Sequence, residues 1–418
     1  MDRFLINGGK LLTGTVRISG SKNASLPLMA STLLAPGNYF FENVPDLRDI
    51  KTMIRLLQTI GLELNFANHK LNINVPEKYS LVASYDLVRT MRASFYVLGP
   101  LVSRNGYAKV SLPGGCAWGP RPVNYHLEGL KKMGVTYEID QGYVVAKCKK
   151  MHGAEITFDV PSVGATGNIM MAAVLAEGDT IIENAAMEPE IQQLALFLTM
   201  MGAKIQGIGT KTIRIEGVSD LKPTNISIIP DRIEAGTFLV AAAMTNGRVV
   251  LQNVDLTHLT AIINKLNLLD VKIVCSDNSI EIQSEGKNNP INVTTDVYPG
   301  FPTDMQAQWI SLMTTANGTS TIKDTIYHDR FTHVAELNRL GALIEVEGNT
   351  AIVCGVKKLK GATVMSTDLR ASASLILAGL IAEGQTEVLR IYHIDRGYEN
   401  IEEKLNSLGA DIQRLSDK

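Results

Sequence analysis

The chain has 418 residues, 45% of them hydrophobic and 20% charged, the balance of a globular protein with a sizeable core and not of a disordered or fibrous one. Its 40 basic and 42 acidic side chains leave a formal net charge of -2. No global field therefore favours nucleic acid or an anionic membrane, and any anionic ligand has to be met by a local cluster of positive groups.

At about 150 residues per domain, two or three domains are expected. The longest apolar runs, such as Ala235 to Met244 and Leu375 to Ala382, fall short of the ~20 residues that span a bilayer. The N-terminal residues lack a charged segment followed by an apolar one, so the sequence predicts no membrane insertion and a cytoplasmic location. Cysteines 116, 148, 275 and 354 are too far apart for a disulfide framework or a zinc site with close ligand pairs.

Residues 1 to 21 read as an orphan pair of strands leading into the first helix. From there one unit recurs, a helix that ends on a turn residue and passes into a strand. The turn residues are Gly61, Gly134, Gly202, Asp270, Gly341 and Gly409, at intervals of 68 to 73 residues. Glycine suits the left-handed residue that closes a helix. A second marker runs in phase: apolar, small-residue helices end at Gly37, Gly106, Gly178, Gly247, Gly318 and Gly384, each followed by a short β-type segment. Each unit reads helix, strand, helix, strand, strand. The apolar helices have no polar face, so they should be buried with the sheets outside them. The last unit lacks its closing strand pair, so the two termini should complete one another. The expected fold is α/β, with two similar domains of three inside-out repeat units each. One spans 22–229; the other joins 1–21 to 230–418.

A polar cluster precedes each buried helix: Ser21-Lys22-Asn23, Arg89-Thr90-Met91-Arg92, Pro161-Ser162-Val163-Gly164, Pro230-Asp231-Arg232, Pro302-Thr303-Asp304 and Asp368-Leu369-Arg370. Helix starts bind anions through free N–H groups and the positive end of the dipole. Ser and Asp also cap such starts. Capping does not explain Lys22, Arg92 and Arg370, because a cation there opposes the dipole, and an anionic ligand would. Within the second unit, Pro113 to Pro122 is too rich in Gly and Pro for a helix or central strand. It forms a loop carrying Cys116 and Arg121, where a positive neighbour favours a reactive thiolate. Cys148, Cys275 and Cys354 lie in or beside strand-like runs and read as small buried hydrophobes.

Taken in order, Ser21-Lys-Asn-Ala24, Pro113-Gly-Gly-Cys116 with Arg121-Pro-Val123, Ser162-Val-Gly-Ala-Thr166, Pro302-Thr-Asp-Met-Gln-Ala-Gln308, Thr367-Asp-Leu-Arg-Ala-Ser-Ala-Ser374 and Tyr392-His-Ile-Asp-Arg-Gly-Tyr-Glu399 span essentially the whole chain. Together they resemble the UDP-N-acetylglucosamine 1-carboxyvinyltransferase family of enolpyruvyl transferases. The resemblance implies two domains of three inside-out units with the active site in the cleft between them. It implies transfer of the enolpyruvyl group of phosphoenolpyruvate to the 3′-hydroxyl of UDP-N-acetylglucosamine, with loss of phosphate, through a tetrahedral ketal. This is the first committed step of peptidoglycan synthesis. No metal or organic cofactor is implied, and no nucleic-acid partner.

By the same resemblance, Lys22, Arg121 and Arg396 hold the donor phosphate, Arg330 and Arg370 its carboxylate, and Arg92 supports the loop. Asp304 is the general base. Cys116 is the general acid, open to alkylation by the epoxide fosfomycin. The nucleotide sugar falls to Asn23, Arg121, Pro122, Val123, Asn124, Tyr125, Ser162, Val163, Gly164, Asp304 and Ile326, with Asp368 a further substrate-binding residue and His393 a secondary phosphate contact. The family pattern has aspartate in place of Asn124 and a small residue in place of Pro120, which bears on the uridine contact and on loop motion. Two rival readings are a 5-enolpyruvylshikimate-3-phosphate synthase-like transferase and an idle paralogue that only binds the nucleotide sugar. The Cys116 loop argues against the first, and the joint presence of base and thiol against the second.

Overall fold

The structure is a computed structural model that describes residues 2–88, 91–112, 123–284, 286 and 288–416. The chain divides into two compact lobes: Gly20–Ile229, and Met1–Ser19 together with Pro230–Lys418. Each lobe has its own apolar core.

In the Gly20–Ile229 lobe, three helices run through the middle: Lys22–Ser31, Leu98–Asn105 and Val163–Ala173. Every residue from Ala24 to Ser31 and from Ala165 to Ala173 is buried, as helices apolar all round must be. The second and third of these helices run parallel. Tyr96, just before the Leu98–Asn105 helix, bonds the Val163 carbonyl, Gly99 bonds Asn168, and Ser103 bonds the Ala172 carbonyl. Their starts therefore share one end of the lobe.

Three four-stranded sheets belong to this lobe, each with the order edge, first, third, second. In the first, Asn225–Ser227 runs parallel to Gly37–Glu42, which pairs antiparallel with Lys70–Val75 and through it with Glu63–Ala67. The others repeat this with Val82–Ala83, Tyr107–Ser111, Tyr143–Lys147 and Thr136–Asp140, and with Glu155–Thr157, Asp179–Glu183, Thr212–Glu216 and Lys204–Gln206. Alternation sets the inner face: in Lys70–Val75, residues Leu71, Ile73 and Val75 are buried and the intervening residues exposed.

The other lobe has the same design around the buried helices Arg232–Met244, Gln306–Met313 and Leu369–Ile381. Its sheets place Thr13–Arg17 beside Arg248–Gln252, Val293–Thr294 beside Thr319–Lys323, and Thr363–Met365 beside Gln385–Leu389. Helices buried and sheets outside is the inside-out unit that the repeats predict.

The termini do complete one another, but not as an orphan pair. Arg3–Asn7 fills the centre of the last sheet between Gln385–Leu389 and Ile412–Leu415, with Phe4 opposite Val388 and Arg414. Thr13–Arg17 goes to a different sheet, as the edge of the Arg248–Gln252 sheet. Burial explains the split: Phe4 and Ile6 are fully buried, as a central strand requires, whereas in Thr13–Arg17 only Val16 is. The last unit therefore lacked one strand and not two, since Ile412–Leu415 is its own.

The chain passes between lobes at Ser19/Gly20 and Ile229/Pro230. Gly20 is needed there because a Cβ would lie 1.8 Å from the Asn43 carbonyl oxygen. Five of the six turn residues, Gly61, Gly134, Gly202, Gly341 and Gly409, are left-handed, with φ between 88° and 115°; Asp270 is not. Reading three cysteines as buried fails. Cys275 and Cys354 are exposed and Cys148 half-buried: alternation turns Cys354 outward next to the buried Val353, whereas Cys275 stands opposite Ile280 on the inner face but near the end of its strand, and Cys148 lies just past its strand.

Candidate active site

In the Gly20–Ile229 lobe, Ser21 and Ser162 cap their helices by accepting from the Ala24 and Ala165 N–H groups, each at 3.3 Å. Lys22 is the first helical residue, and its Nζ lies 3.3 Å from Asp49 Oδ2. Asp49 is only 5% exposed and offsets part of the charge that the dipole disfavours. Asn23 follows, half-buried. Arg92 opens a 3-10 turn, Arg92–Val97, that packs against both the Lys22–Ser31 and Val163–Ala173 helices.

Val123 and Asn124 begin the next helix, Asn124–Lys132, with Asn124 exposed, and the Tyr125 ring sits 5.6 Å from Phe158. Beneath them lies His126, which the sequence reading missed. It is buried edge-on against Phe95, with Nδ1 2.9 Å from Asn168 Nδ2, and a Cβ on Gly164 would come within 3.1 Å of its ring. Burial, helped by the Arg92 charge, pushes its pKa down to about 3, so the ring is neutral. Gly164 thus lets the Val163 helix start lie close on His126, where a side chain would push the ring back by a few tenths of an ångström. Cys116, Pro120, Arg121 and Pro122 lie outside the described residues.

In the other lobe, one carboxylate gathers the predicted residues. Asp304, in the turn Thr303–Met305 before the Gln306 helix, holds Arg370 Nη2 on Oδ2 at 2.5 Å and Arg330 Nη1 on Oδ1 at 2.9 Å. Arg370 is the second residue of the Leu369–Ile381 helix, capped by Asp368, whose Oδ1 accepts from the Arg370 and Ala371 N–H groups. The Arg370 side chain is 7% exposed and that of Asp304 27%. Burial alone would push the Asp304 carboxyl up. The Arg370 and Arg330 charges and hydrogen bonds outweigh that and hold it well below the usual carboxylate range.

Behind Arg370 stands a buried polar group, Tyr398, which lies in the Tyr392–Glu399 motif without a role assigned from the sequence. Tyr398 OH accepts from Arg370 Nη1 at 3.3 Å and from Gln308 Nε2 at 3.1 Å, and shares a hydrogen with Thr237 Oγ1 at 2.8 Å. Ile326 is half-buried, its N–H bonded to Asp324 Oδ1. Arg396 and His393 lie half-buried in the turn Ile391–Arg396, which packs on the Leu369–Ile381 helix. Asp304, Arg330, Arg370, Asp368 and Ile326 thus converge in this lobe.

Among the described residues, six buried helices, three to a lobe, with Lys22, Arg232 and Arg370 at the starts of three of them and four-stranded sheets wrapped round each set, define the enolpyruvyl transferase class of fold. The same architecture is seen in the enolpyruvyl transferase NikO from Streptomyces tendae, which superimposes with a TM-score of 0.91 at 25% identity over 100% of this chain and 99% of that one. The EPSP synthase from Acinetobacter baumannii, with a TM-score of 0.77 and 19% identity over the whole of both chains, shares the fold. The sequence model of the EPSP synthase (3-phosphoshikimate 1-carboxyvinyltransferase) family matches residues 6–405. Two relatives, from Geobacter metallireducens and Thermodesulfovibrio yellowstonii, are both UDP-N-acetylglucosamine 1-carboxyvinyltransferases. Each is 55% identical, over 417 and 416 residues, covering 100% and 99% of this chain and 100% of each relative. The chain belongs to the enolpyruvyl transferase family, among the UDP-N-acetylglucosamine 1-carboxyvinyltransferases.

Proposed function

We propose that the protein transfers the enolpyruvyl group of phosphoenolpyruvate to the 3′-hydroxyl of UDP-N-acetylglucosamine and releases phosphate, supplying peptidoglycan precursor synthesis in the cytoplasm. Family membership supports the reaction. The observation that carries the mechanism is the Asp304 carboxylate held between Arg370 and Arg330. A carboxylate paired to two guanidiniums is a poor base, and both arginines suit a planar carboxylate on the donor. When the donor carboxylate takes these guanidiniums, Asp304 loses the charges that stabilise its ionised form, and its basicity rises. The base is thus activated only once the donor is in place.

Asp304 then removes the proton of the 3′-hydroxyl as its oxygen bonds to C2 of the donor, and the Cys116 thiol delivers a proton to the methylene carbon C3. The resulting ketal collapses by loss of a C3 proton and departure of phosphate, which restores the double bond. Lys22, Arg121 and Arg396 neutralise the phosphate in both steps. Asn23, Val123 to Tyr125, the amides at Ser162 to Gly164, Ile326 and Asp368 hold the nucleotide sugar, with the diphosphate at the helix start.

The test is phosphate release from the purified protein with phosphoenolpyruvate, with and without UDP-N-acetylglucosamine. Release that depends on the nucleotide sugar is expected. Turnover of shikimate 3-phosphate instead would overturn the acceptor, and tight sugar binding without release would leave a binding protein.

A further inference from the structure

We infer that Asp324 is a positioning residue for this reaction, a buried carboxylate that locks the turn at Ile326–Arg330 to the hydroxyl of Thr303 and through it fixes the base Asp304. The inference rests on the roles proposed above for Asp304 and Ile326.

Its origin is visible in the repeats. Directly after the first long strand of a sheet, three units carry an asparagine in left-handed conformation: Asn43, Asn184 and Asn253. Each donates its side-chain amide to the carbonyl just beyond the edge strand: Asn43 to Ile228 at 2.8 Å, Asn184 to Phe158 at 2.9 Å and Asn253 to Ile18 at 2.7 Å. There the residue staples two strands. After Thr319–Lys323 the same place is taken by Asp324, which as a carboxylate cannot donate.

Asp324 is fully buried, and it accepts instead. Oδ1 takes the Thr295 hydroxyl at 2.8 Å, beyond the edge strand, and the Ile326 and Tyr327 N–H groups at 2.9 Å each. Oδ2 takes the Thr303 hydroxyl at 2.7 Å. The staple to the edge strand survives through Thr295, and the carboxylate gains three further hydrogen bonds, from the Ile326 and Tyr327 N–H groups and the Thr303 hydroxyl, all of them as acceptor.

The consequence is directional. Because the Thr303 hydrogen is committed to Asp324, its oxygen can only accept, and Arg330 Nη1 donates to it at 3.2 Å. The same Nη1 lies 2.9 Å from Asp304 Oδ1. In the resting protein a relay of defined polarity thus runs from Asp324 through Thr303 and Arg330 to Asp304; once the donor carboxylate takes Arg330, Asp324 still anchors Asp304 through Thr303, its neighbour in the turn Thr303–Met305, and it also holds the Ile326 amide. Sugar recognition at Ile326 and placement of the base are set by one buried group that touches no substrate.

Asp324→Asn puts an amide donor against Thr303, reversing that hydroxyl toward a guanidinium that is itself a donor. Thr303→Val deletes the relay atom at nearly constant shape, and Thr303→Ser keeps it. Asp324→Asn and Thr303→Val are each expected to lower kcat/KM for UDP-N-acetylglucosamine by roughly 100-fold, the scale of a ~1 Å misplacement of a reacting group. Thr303→Ser recovers most of the activity lost in Thr303→Val. The double variant is no worse than either single one, because both cut the same relay. A merely structural carboxylate would lower the melting temperature without this non-additivity or the serine recovery. Losses that multiply in the double variant, or a Thr303→Val enzyme within twofold of the parent, overturn the inference. If Asp324→Asn does not fold, the valine and serine pair decides alone. A parent protein with no sugar-dependent phosphate release overturns the functional reading first, and this inference with it.

Discussion

Replacing Asp304 by Asn separates the two jobs that the structure gives its carboxylate. As the base it takes a proton in the addition step, and removing a positioned base costs about 10²- to 10⁴-fold in rate, or about 3–5 kcal/mol of barrier at 1.4 kcal/mol per tenfold. As the resting partner of Arg370 at 2.5 Å and Arg330 at 2.9 Å, it competes with the donor carboxylate for the same guanidiniums. A charge-assisted hydrogen bond contributes about 1.5–3 kcal/mol, and Asn keeps one neutral acceptor in place of two charged ones. The donor should therefore bind the free Asp304→Asn protein at least about tenfold more tightly, since each 1.4 kcal/mol is tenfold in Kd. Phosphate release reports the first effect, and calorimetric titration with phosphoenolpyruvate alone reports the second. The expected outcome is a nearly inactive protein with improved donor affinity. Turnover within threefold of the parent would refute the base assignment. Donor affinity that falls tenfold would refute the competition, and with it the idea that the donor activates the base.

Lys22→Ala should reduce phosphate release by roughly 100-fold or more, the loss seen when one preorganised stabiliser of developing charge is removed, while Lys22→Arg retains part of it; steady-state kinetics check both. Arg370→Lys keeps the charge but loses the planar fork that serves Asp304 and Tyr398 together, so KM for phosphoenolpyruvate should rise more than kcat falls. Fosfomycin should add its whole mass to Cys116 as the thiolate opens the epoxide and the new alkoxide takes a proton, and intact-protein mass spectrometry of Cys116→Ser should show no adduct. Acid sensitivity should come from buried histidines. Burial, against a raising effect of Asp368, holds His333 down at about 4, and His126 is held down at about 3. Both stay neutral in the fold while the unfolded chain takes up protons below about pH 6.5, so their contribution is intact above that pH and is lost as pH falls. At pH 5 each costs about 2 kcal/mol. Urea unfolding at pH 7 and pH 5 measures the loss, and His126→Phe should remove its half.

Most of the fold was legible because the repeats are written in two independent codes that agree. The left-handed glycines after amphipathic helices and the glycines after apolar ones run in phase, and only an architecture with the apolar helices inside satisfies both. The errors fall at the ends of strands and of the chain. Arg3–Asn7 and Thr13–Arg17 are close in sequence and equally short, yet Phe4, Leu5 and Ile6 of the first against the lone Val16 of the second, with two buried residues against one, mark a central strand against an edge. The exposed Cys354 is a phase error, since a shift of one residue in a strand inverts every side chain, while Cys275 is in phase with the inner face and exposed near the end of its strand.

The candidate site was legible in its charges and illegible in what holds them. Cations at helix starts contradict the dipole, so Lys22, Arg92 and Arg370 stand out in a bare sequence. Asp49, His126 and Asp324 lie in none of the polar clusters or motifs, and Thr303 and Tyr398 lie in them without any sign of their role. Aligning the repeats with one another, and not with other proteins, would have exposed one of them. Asn43, Asn184 and Asn253 fill one structural place, and an aspartate appears there in the unit that carries the proposed base. A repeat protein supplies its own control copies, and a buried carboxylate at a position where three sister units keep a neutral staple points to a task those units do not share.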